Sequence, residues 1–314
     1  MKKLTIALLS GGISSEREVS ISSGNQVYEA LDHNKYDILR YDPKTDLPQL
    51  VKDASKIDAA LIILHGPFGE DGTVQGLLDL LDIPYQGSGV LGSALGMNKL
   101  ASKHLYEKSG LLVPPYVVMG ENDALDVDEC VQRLGMPLVV KPVGSGSSVG
   151  ISIVKSRDSF KKAVDKAFEQ DSMVLIEAHI SGIELTGGVI GNNQLEALPI
   201  VEIIPNESFD FFDYEAKYTA GATNEICPAR INDVMTQKAQ ETAKTAHKAL
   251  FCKGYSRTDM ILKDQDIYVL ETNTIPGMTA TSLLPLAAGE AGIPFSRLLD
   301  RLIELSIEGH KVNR

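Results

Sequence analysis

The chain has 314 residues, room for two or three domains, and its 43% hydrophobic content supplies each with a core. A formal net charge of −12 argues against nucleic acid or an anionic membrane as the main partner, but leaves open a local pocket for an anionic nucleotide. The longest apolar stretches, such as Ala59–Leu64, are of strand length and far short of a membrane span. Cys130, Cys227 and Cys252 are odd in number and lack zinc or redox spacing, so reduced, packing thiols in a cytoplasmic protein are expected.

Residues 1–95 alternate strand and helix patterns. Leu4–Leu9 is an apolar run ending in Ser10-Gly11-Gly12, which predicts a first strand rather than a targeting segment. Glu18–Leu31 predicts a helix, Tyr36–Tyr41 and Ala59–His65 strands, Val74–Leu81 a helix and Ile83–Tyr85 a short strand. That rhythm predicts a doubly wound parallel sheet, with function in the loops after its strands, Gly11–Arg17 and His65–Gly72. Residues 96–184 predict a smaller α+β module. Its helices are Met97–Ser109, Ala124–Leu134 and Ser156–Glu169, and its strands Tyr116–Val118, Leu138–Lys141, Ile151–Val154 and Val174–Glu177. Residues 185–314 add strands Leu185–Ile190 and Leu195–Ile203, then helices Asn232–Lys253 and Phe295–Glu308. Between them, Ile204–Pro228 carries little regular pattern, as a lid or binding loop does.

The most informative stretch is Arg257–Ser282. Alternating runs at Tyr255–Leu262 and Ile267–Glu271, joined by the polar turn Lys263–Asp266, predict a β-hairpin. Glu271 and Asn273 are two apart and share a strand face, and the hairpin can bring Asp259 beside them. Two carboxylates and an amide form an all-oxygen set suited to Mg²⁺ and substrate phosphates; an edge hairpin with solvated acids is the plainer alternative. Lys141 followed by Gly144–Gly150 (G-S-G-S-S-V-G) offers N–H groups, hydroxyls and an ammonium to a polyanion, or simply makes a flexible turn. It matches neither a P-loop nor a dinucleotide fingerprint. Glu177 and Glu184 flank a strand end around Ala178-His179-Ile180, a segment whose backbone can read an adenine edge. By itself, this segment and Lys99 fit solvated surface equally well. His65 in its glycine-rich loop fits a structural histidine, and Glu16 at a helix start fits either a favourable helix N-terminus or a grip on a substrate ammonium. Lys217 and Tyr218, in Y-E-A-K-Y, fit exposed loop residues or the cap of a closing lid.

Together these strings resemble the D-alanine–D-alanine ligase family of ATP-grasp enzymes. The matches are E-R-E-V-S near the start, H-G-x-x-G-E-D-G-x-V-Q-G at 65–76, V-K-P…G-S-S-V-G at 140–150 and Y-E-A-K-Y at 214–218. R-x-D at 257–259 and E-x-N-T-x-P-G-M-T-x-x-S-L-x-P at 271–285 complete the set, in the family's order over nearly the whole chain. The resemblance implies an N-terminal α/β substrate domain followed by a two-part ATP-grasp fold, with ATP as co-substrate clamped between the two parts. It implies nucleotide contacts at Lys99, Lys141, Gly146, Ser147, Ser148, Glu177, Ala178, His179, Ile180, Glu184, Phe211 and Asn273. Two Mg²⁺ ions, replaceable by Mn²⁺, would take Asp259, Glu271 and Asn273. Glu16 would hold the ammonium of the first D-alanine and His65 would contact substrate, with Ser147 and Tyr218 linking domains. Lys217, Ser282 and the Leu283 N–H would meet the second carboxylate, and Arg257 and the Gly277 N–H the oxyanion. A homodimer is implied, without nucleic-acid or membrane partners.

Departures from the family pattern are Asn98 before the nucleotide lysine, Gly144-Ser145, and Thr258 and Thr272 at positions usually small and apolar. The close rival is a ligase with another acceptor, such as D-lactate, against which Tyr218 argues. A silent nucleotide-binding protein is opposed by the intact Asp259, Glu271, Asn273, Arg257 and Lys141, and a nicotinamide oxidoreductase by the missing G-x-G-x-x-G.

Overall fold

The computed structural model describes residues 2–144, 146, 149–205 and 223–312. In chain order the first elements are β1 (Leu4–Ser10), α1 (Arg17–Ala30), β2 (Tyr36–Tyr41), α2 (Leu47–Asp53), β3 (Ala59–Ile63), α3 (Thr73–Leu80), α4 (Val90–Met97) and α5 (Lys99–Lys108). Next come β4 (Tyr116–Gly120), α6 (Val127–Leu134), β5 (Leu138–Pro142), β6 (Ser152–Val154), α7 (Arg157–Phe168) and β7 (Met173–Ala178). The remainder holds β8 (Ile183–Ile190), β9 (Glu196–Ala197), β10 (Val201–Pro205), β11 (Thr223–Ile226), α8 (Asp233–Ala249), β12 (Tyr255–Lys263), β13 (Asp266–Asn273), α9 (Leu283–Glu290) and α10 (Phe295–Val312).

The first sheet is parallel, in the order β2-β1-β3. Its central strand is buried on both faces, which is why it reads as a continuous apolar run. Ile6 and Leu8 pack with Val27 of α1 and with Leu298, Leu302 and Ile303 of α10, while Ala7 and Leu9 pack with Leu50 of α2 and Leu78 of α3. The C-terminal helix therefore completes the N-terminal layer. Asp300 of α10 fastens it there, accepting hydrogen bonds from Lys35 Nζ (2.7 Å) and Tyr36 Oη (2.8 Å). Gly24 lets α1 lie close on β1, because a Cβ there would stand 2.6 Å from that of Ser10. The predicted strand at Ile83–Tyr85 shrinks to one parallel bridge, Ala60 to Tyr85.

The second sheet is antiparallel, β4-β7-β5-β6, with α6 and α7 on one face around Val140, Phe160 and Ile176. Alternation turns Lys141 and Glu177 to the other face. The third sheet runs β11-β10-β8-β12-β13, with β9 beside β8. Ala239, Ala243 and Ala246 of α8 cover one face with Tyr106 of α5, packing on Leu185, Val189, Met260 and Val269. Residues 206–222, most of the stretch without regular pattern, lie outside the described residues; its two ends are strands, β10 paired antiparallel with β11.

The helix expected at Met97–Ser109 begins at Lys99, because Asn98 is extended and its side chain accepts a hydrogen bond from the Ala101 N–H, capping α5. Helices α4 and α9 have no counterpart in the sequence pattern. Their residues, V-L-G-S-A-L-G-M and L-L-P-L-A-A-G-E, are apolar or small nearly all round, so no amphipathic stripe marks them. No described helix is long and apolar enough to cross a membrane.

Candidate active site

The hairpin β12–β13 forms as expected, and its register decides which side chains meet. Arg257 stands opposite Asn273 and Asp259 opposite Glu271, all four on the face turned away from α8. Asp259 is 6% exposed. Its Oδ1 accepts from Arg257 Nε at 2.9 Å and from Thr186 Oγ1 of β8 at 2.7 Å. Its Oδ2 accepts from Arg257 Nη2 at 2.8 Å and from Asn273 Nδ2 at 3.2 Å. The three oxygen-bearing residues Asp259, Glu271 and Asn273 are thus gathered on adjacent strands. Their hard-oxygen chemistry fits a divalent cation of the Mg²⁺ kind, and a cation would meet an Asp259 already neutralised by Arg257. Among the described residues no cluster of three or more His, Cys, Asp and Glu side chains is placed to hold a metal.

The opposite face of the hairpin is held from below. Tyr106 Oη of α5 donates to Thr272 Oγ1 at 2.8 Å, and Thr272 and Thr258 hydroxyls lie 3.0 Å apart, all buried. The two threonines that depart from the family pattern therefore share a hydroxyl chain with Tyr106.

Loops from the first sheet reach the same region. Ser14 Oγ donates to the His65 carbonyl at 2.7 Å, joining the loop after β1 to the loop after β3. Glu16 is buried, and its Oε2 lies against Gly66. His65 is buried with Nδ1 3.8 Å from Glu70 Oε1, and its Nε2 makes no hydrogen bond. Burial disfavours its charge, but Glu70 and then Glu16 outweigh burial and an opposing Arg257, so its pKa lies above the usual histidine value. Gly146, within the glycine loop, approaches Gly66 and the Glu70 carboxylate. Beyond β13, Ser282 precedes α9, and its Oγ accepts from the Thr279 N–H at 3.0 Å and lies 2.7 Å from Thr279 Oγ1. Gly277 packs against the Ser282 side chain, and the Leu283 N–H opens the helix.

On the second sheet, Lys141 Nζ and Glu177 Oε2 are 2.9 Å apart, both buried. Lys99, at the start of α5, is 7% exposed, and its N–H donates to the Val143 carbonyl at 3.0 Å, which ties the helix to the end of β5. The Ala178 and His179 N–H groups donate to the Pro115 and Pro137 carbonyls, so that part of the chain link has its donors committed. Glu184 lies on β8 opposite Ile203 and Ile261. Ser147, Ser148, Phe211, Lys217 and Tyr218 lie outside the described residues. Lys103, absent from the predicted set, has Nζ 2.9 Å from Glu177 Oε1. Its signal was the four-residue spacing from Lys99, which stacks both lysines on one helix face.

A family model described as D-ala D-ala ligase C-terminus matches residues 105–304, and one described as D-ala D-ala ligase N-terminus matches residues 40–88. The chain is 62% identical over 307 residues to a D-alanine–D-alanine ligase of Syntrophobacter fumaroxidans, covering 98% of this chain and 99% of that protein. It is 50% identical over 312 residues to one of Desulfotalea psychrophila, covering 99% and 97%. The crystal structure of the Bacillus anthracis D-alanine–D-alanine ligase complexed with ATP superimposes with a TM-score of 0.87 at 38% identity, covering 99% of this chain and 100% of that one.

Proposed function

This chain belongs to the D-alanine–D-alanine ligase family, and we propose from that premise that it joins two D-alanines at the expense of ATP through a D-alanyl phosphate, supplying peptidoglycan precursors in the cytoplasm. The observation that carries the reading is the convergence of Arg257, Asp259, Glu271 and Asn273 on one hairpin face, in the chain order of the family.

Asp259, Glu271 and Asn273 would hold two Mg²⁺ ions, or Mn²⁺ in their place; when bound, the metal neutralises charge on the phosphoryl group in transfer. Lys99 and Lys141 bind nucleotide phosphates, with the Gly144–Gly150 loop above them. The segment Glu177–Ile180 and Glu184 take the adenosine. With the Ala178 and His179 N–H groups engaged elsewhere, adenine would be read by carbonyls and by Ile180.

A carboxylate is a poor acylating agent. The first D-alanine, held by Glu16 through its ammonium and by His65, attacks the γ-phosphorus of ATP; ADP leaves and an acyl phosphate remains. The second D-alanine is anchored by its carboxylate at Ser282 and at the Leu283 N–H, where the positive end of α9 favours an anion. Its neutral amine attacks the acyl carbon, forming the amide bond as phosphate departs and the amine proton is lost. Arg257 and the Gly277 N–H stabilise the tetrahedral oxyanion. Roles for Ser147, Ser148, Phe211, Lys217 and Tyr218 rest on the motif resemblance.

Phosphate release with Mg-ATP over a panel of D-alanine, L-alanine, D-serine and D-lactate tests the reading. Release with D-alanine that yields D-alanyl-D-alanine supports it. Release requiring another acceptor, or none under any pairing, overturns it.

A further inference from the structure

Lys103 has no part in the reaction described above, yet its side chain is 1% exposed, less than that of any other lysine in an ion pair described here. It lies on α5, with Nζ 2.9 Å from Glu177 Oε1, while Lys141 Nζ lies 2.9 Å from Oε2 of the same carboxylate. Two ammonium groups therefore share one carboxylate, and with all three ionised the trio carries a net charge of +1 (two cations less one anion). At 2.9 Å, and with both side chains buried, the Lys103–Glu177 contact is a close ion pair screened little by solvent.

The groups facing Lys103 come from several elements. Tyr116 of β4 places its ring 5.2 Å from the ammonium, a cation–π contact, and its hydroxyl donates to Glu107 of α5 at 3.0 Å. The His104 ring of α5 stands 6.3 Å from that ring, centroid to centroid, and Glu177 and Lys141 come from β7 and β5.

We propose that Lys103 is a positioning residue for nucleotide binding: by occupying one oxygen of Glu177, it keeps that carboxylate from neutralising Lys141, whose ammonium stays available to a nucleotide phosphate. The inference rests on reading Lys141 as a phosphate contact. Without a cation at Lys103, Glu177 turns its whole charge on Lys141, and the field at the end of β5 drops. Deprotonation has the same effect. Burial pushes the Lys103 ammonium down to about 8, with Glu177 opposing and Lys141 adding to the fall. The positive form supports binding, so affinity is high below that pH and declines above it.

The test is titration calorimetry of ADP with excess Mg²⁺ against the whole protein, from about pH 7 to about pH 9.5. Wild type, Lys103→Met, Lys103→Arg and Lys141→Met are compared. Wild-type affinity is expected to fall about tenfold across pH 8, and Lys103→Met to bind about tenfold more weakly at pH 7 without that fall, the size of one weakened charge-assisted contact. Lys103→Arg, which stays charged, is expected to restore binding at pH 7 and hold it through pH 9. Lys103→Met with wild-type affinity and pH profile overturns the inference. So does a fall above pH 8 that persists in Lys103→Arg, which answers the question even if Lys103→Met does not fold. Lys141→Met binding like wild type overturns the reading of Lys141 itself; weakened binding there with an unaffected Lys103→Met overturns the present inference alone.

Discussion

Arg257 and Asp259, two residues apart on β12, grip each other through paired hydrogen bonds of 2.9 and 2.8 Å. A fork-to-carboxylate pair of this kind fixes the plane of both groups. The residue assigned to the oxyanion and a residue assigned to the metal are thereby oriented by each other before any ligand arrives.

Arg257→Ala is expected to lower D-alanine-dependent phosphate release by a factor of about 10² to 10³, the cost typical of one lost oxyanion donor. Binding of ADP with Mg²⁺, read by calorimetry, is expected to survive. Unchanged turnover in this variant would remove Arg257 from the oxyanion role.

Ser282 is buttressed by two contacts from Thr279 and stands at the N-terminus of α9. Ser282→Ala is expected to raise the KM for D-alanine at the acceptor position about tenfold, equivalent to about 1.4 kcal/mol, with little change in the KM for ATP. An equal rise in both KM values would point instead to a general loosening of the loop.

The pKa of His65 is raised in the folded protein, Glu70 and Glu16 outweighing burial. A raised value means the folded state holds the proton more tightly than the unfolded chain. The stabilisation is therefore complete below about pH 6.5 and fades as pH climbs through the folded value. Thermal unfolding of wild type and His65→Gln should differ most in mildly acidic buffer and converge at alkaline pH. A gap independent of pH would show that His65 stays neutral.

Tyr106, Thr272 and Thr258 form a buried hydroxyl chain under the β12–β13 hairpin. Tyr106→Phe and Thr272→Val are each expected to cost about 1 kcal/mol of unfolding free energy in denaturant titrations. Both remove the same bond, so the double variant should lose less than the sum of the two. Strict additivity would mean the 2.8 Å contact carries no coupling.

Much of this protein was legible in its sequence because the relevant spacing is local. Period-2 alternation placed Glu271 and Asn273 on one strand face, and a four-residue polar turn joined the two strands that carry Asp259 and Glu271. The apolar run of β1 announced a strand buried on both faces. Helices α4 and α9 were silent, since a segment apolar all round has no stripe to detect.

Only the tertiary structure decided which distant surfaces meet. It set α10 from the end of the chain on the first sheet and pushed Thr186 of β8 against Asp259. It also carried Lys103 of α5 to a carboxylate 74 positions away by number (177 less 103). Periodicity records which face of an element is apolar, whereas the identity of the surface that covers it depends on how whole layers pack. Lys103 and Glu177 owe their charge environments to that packing.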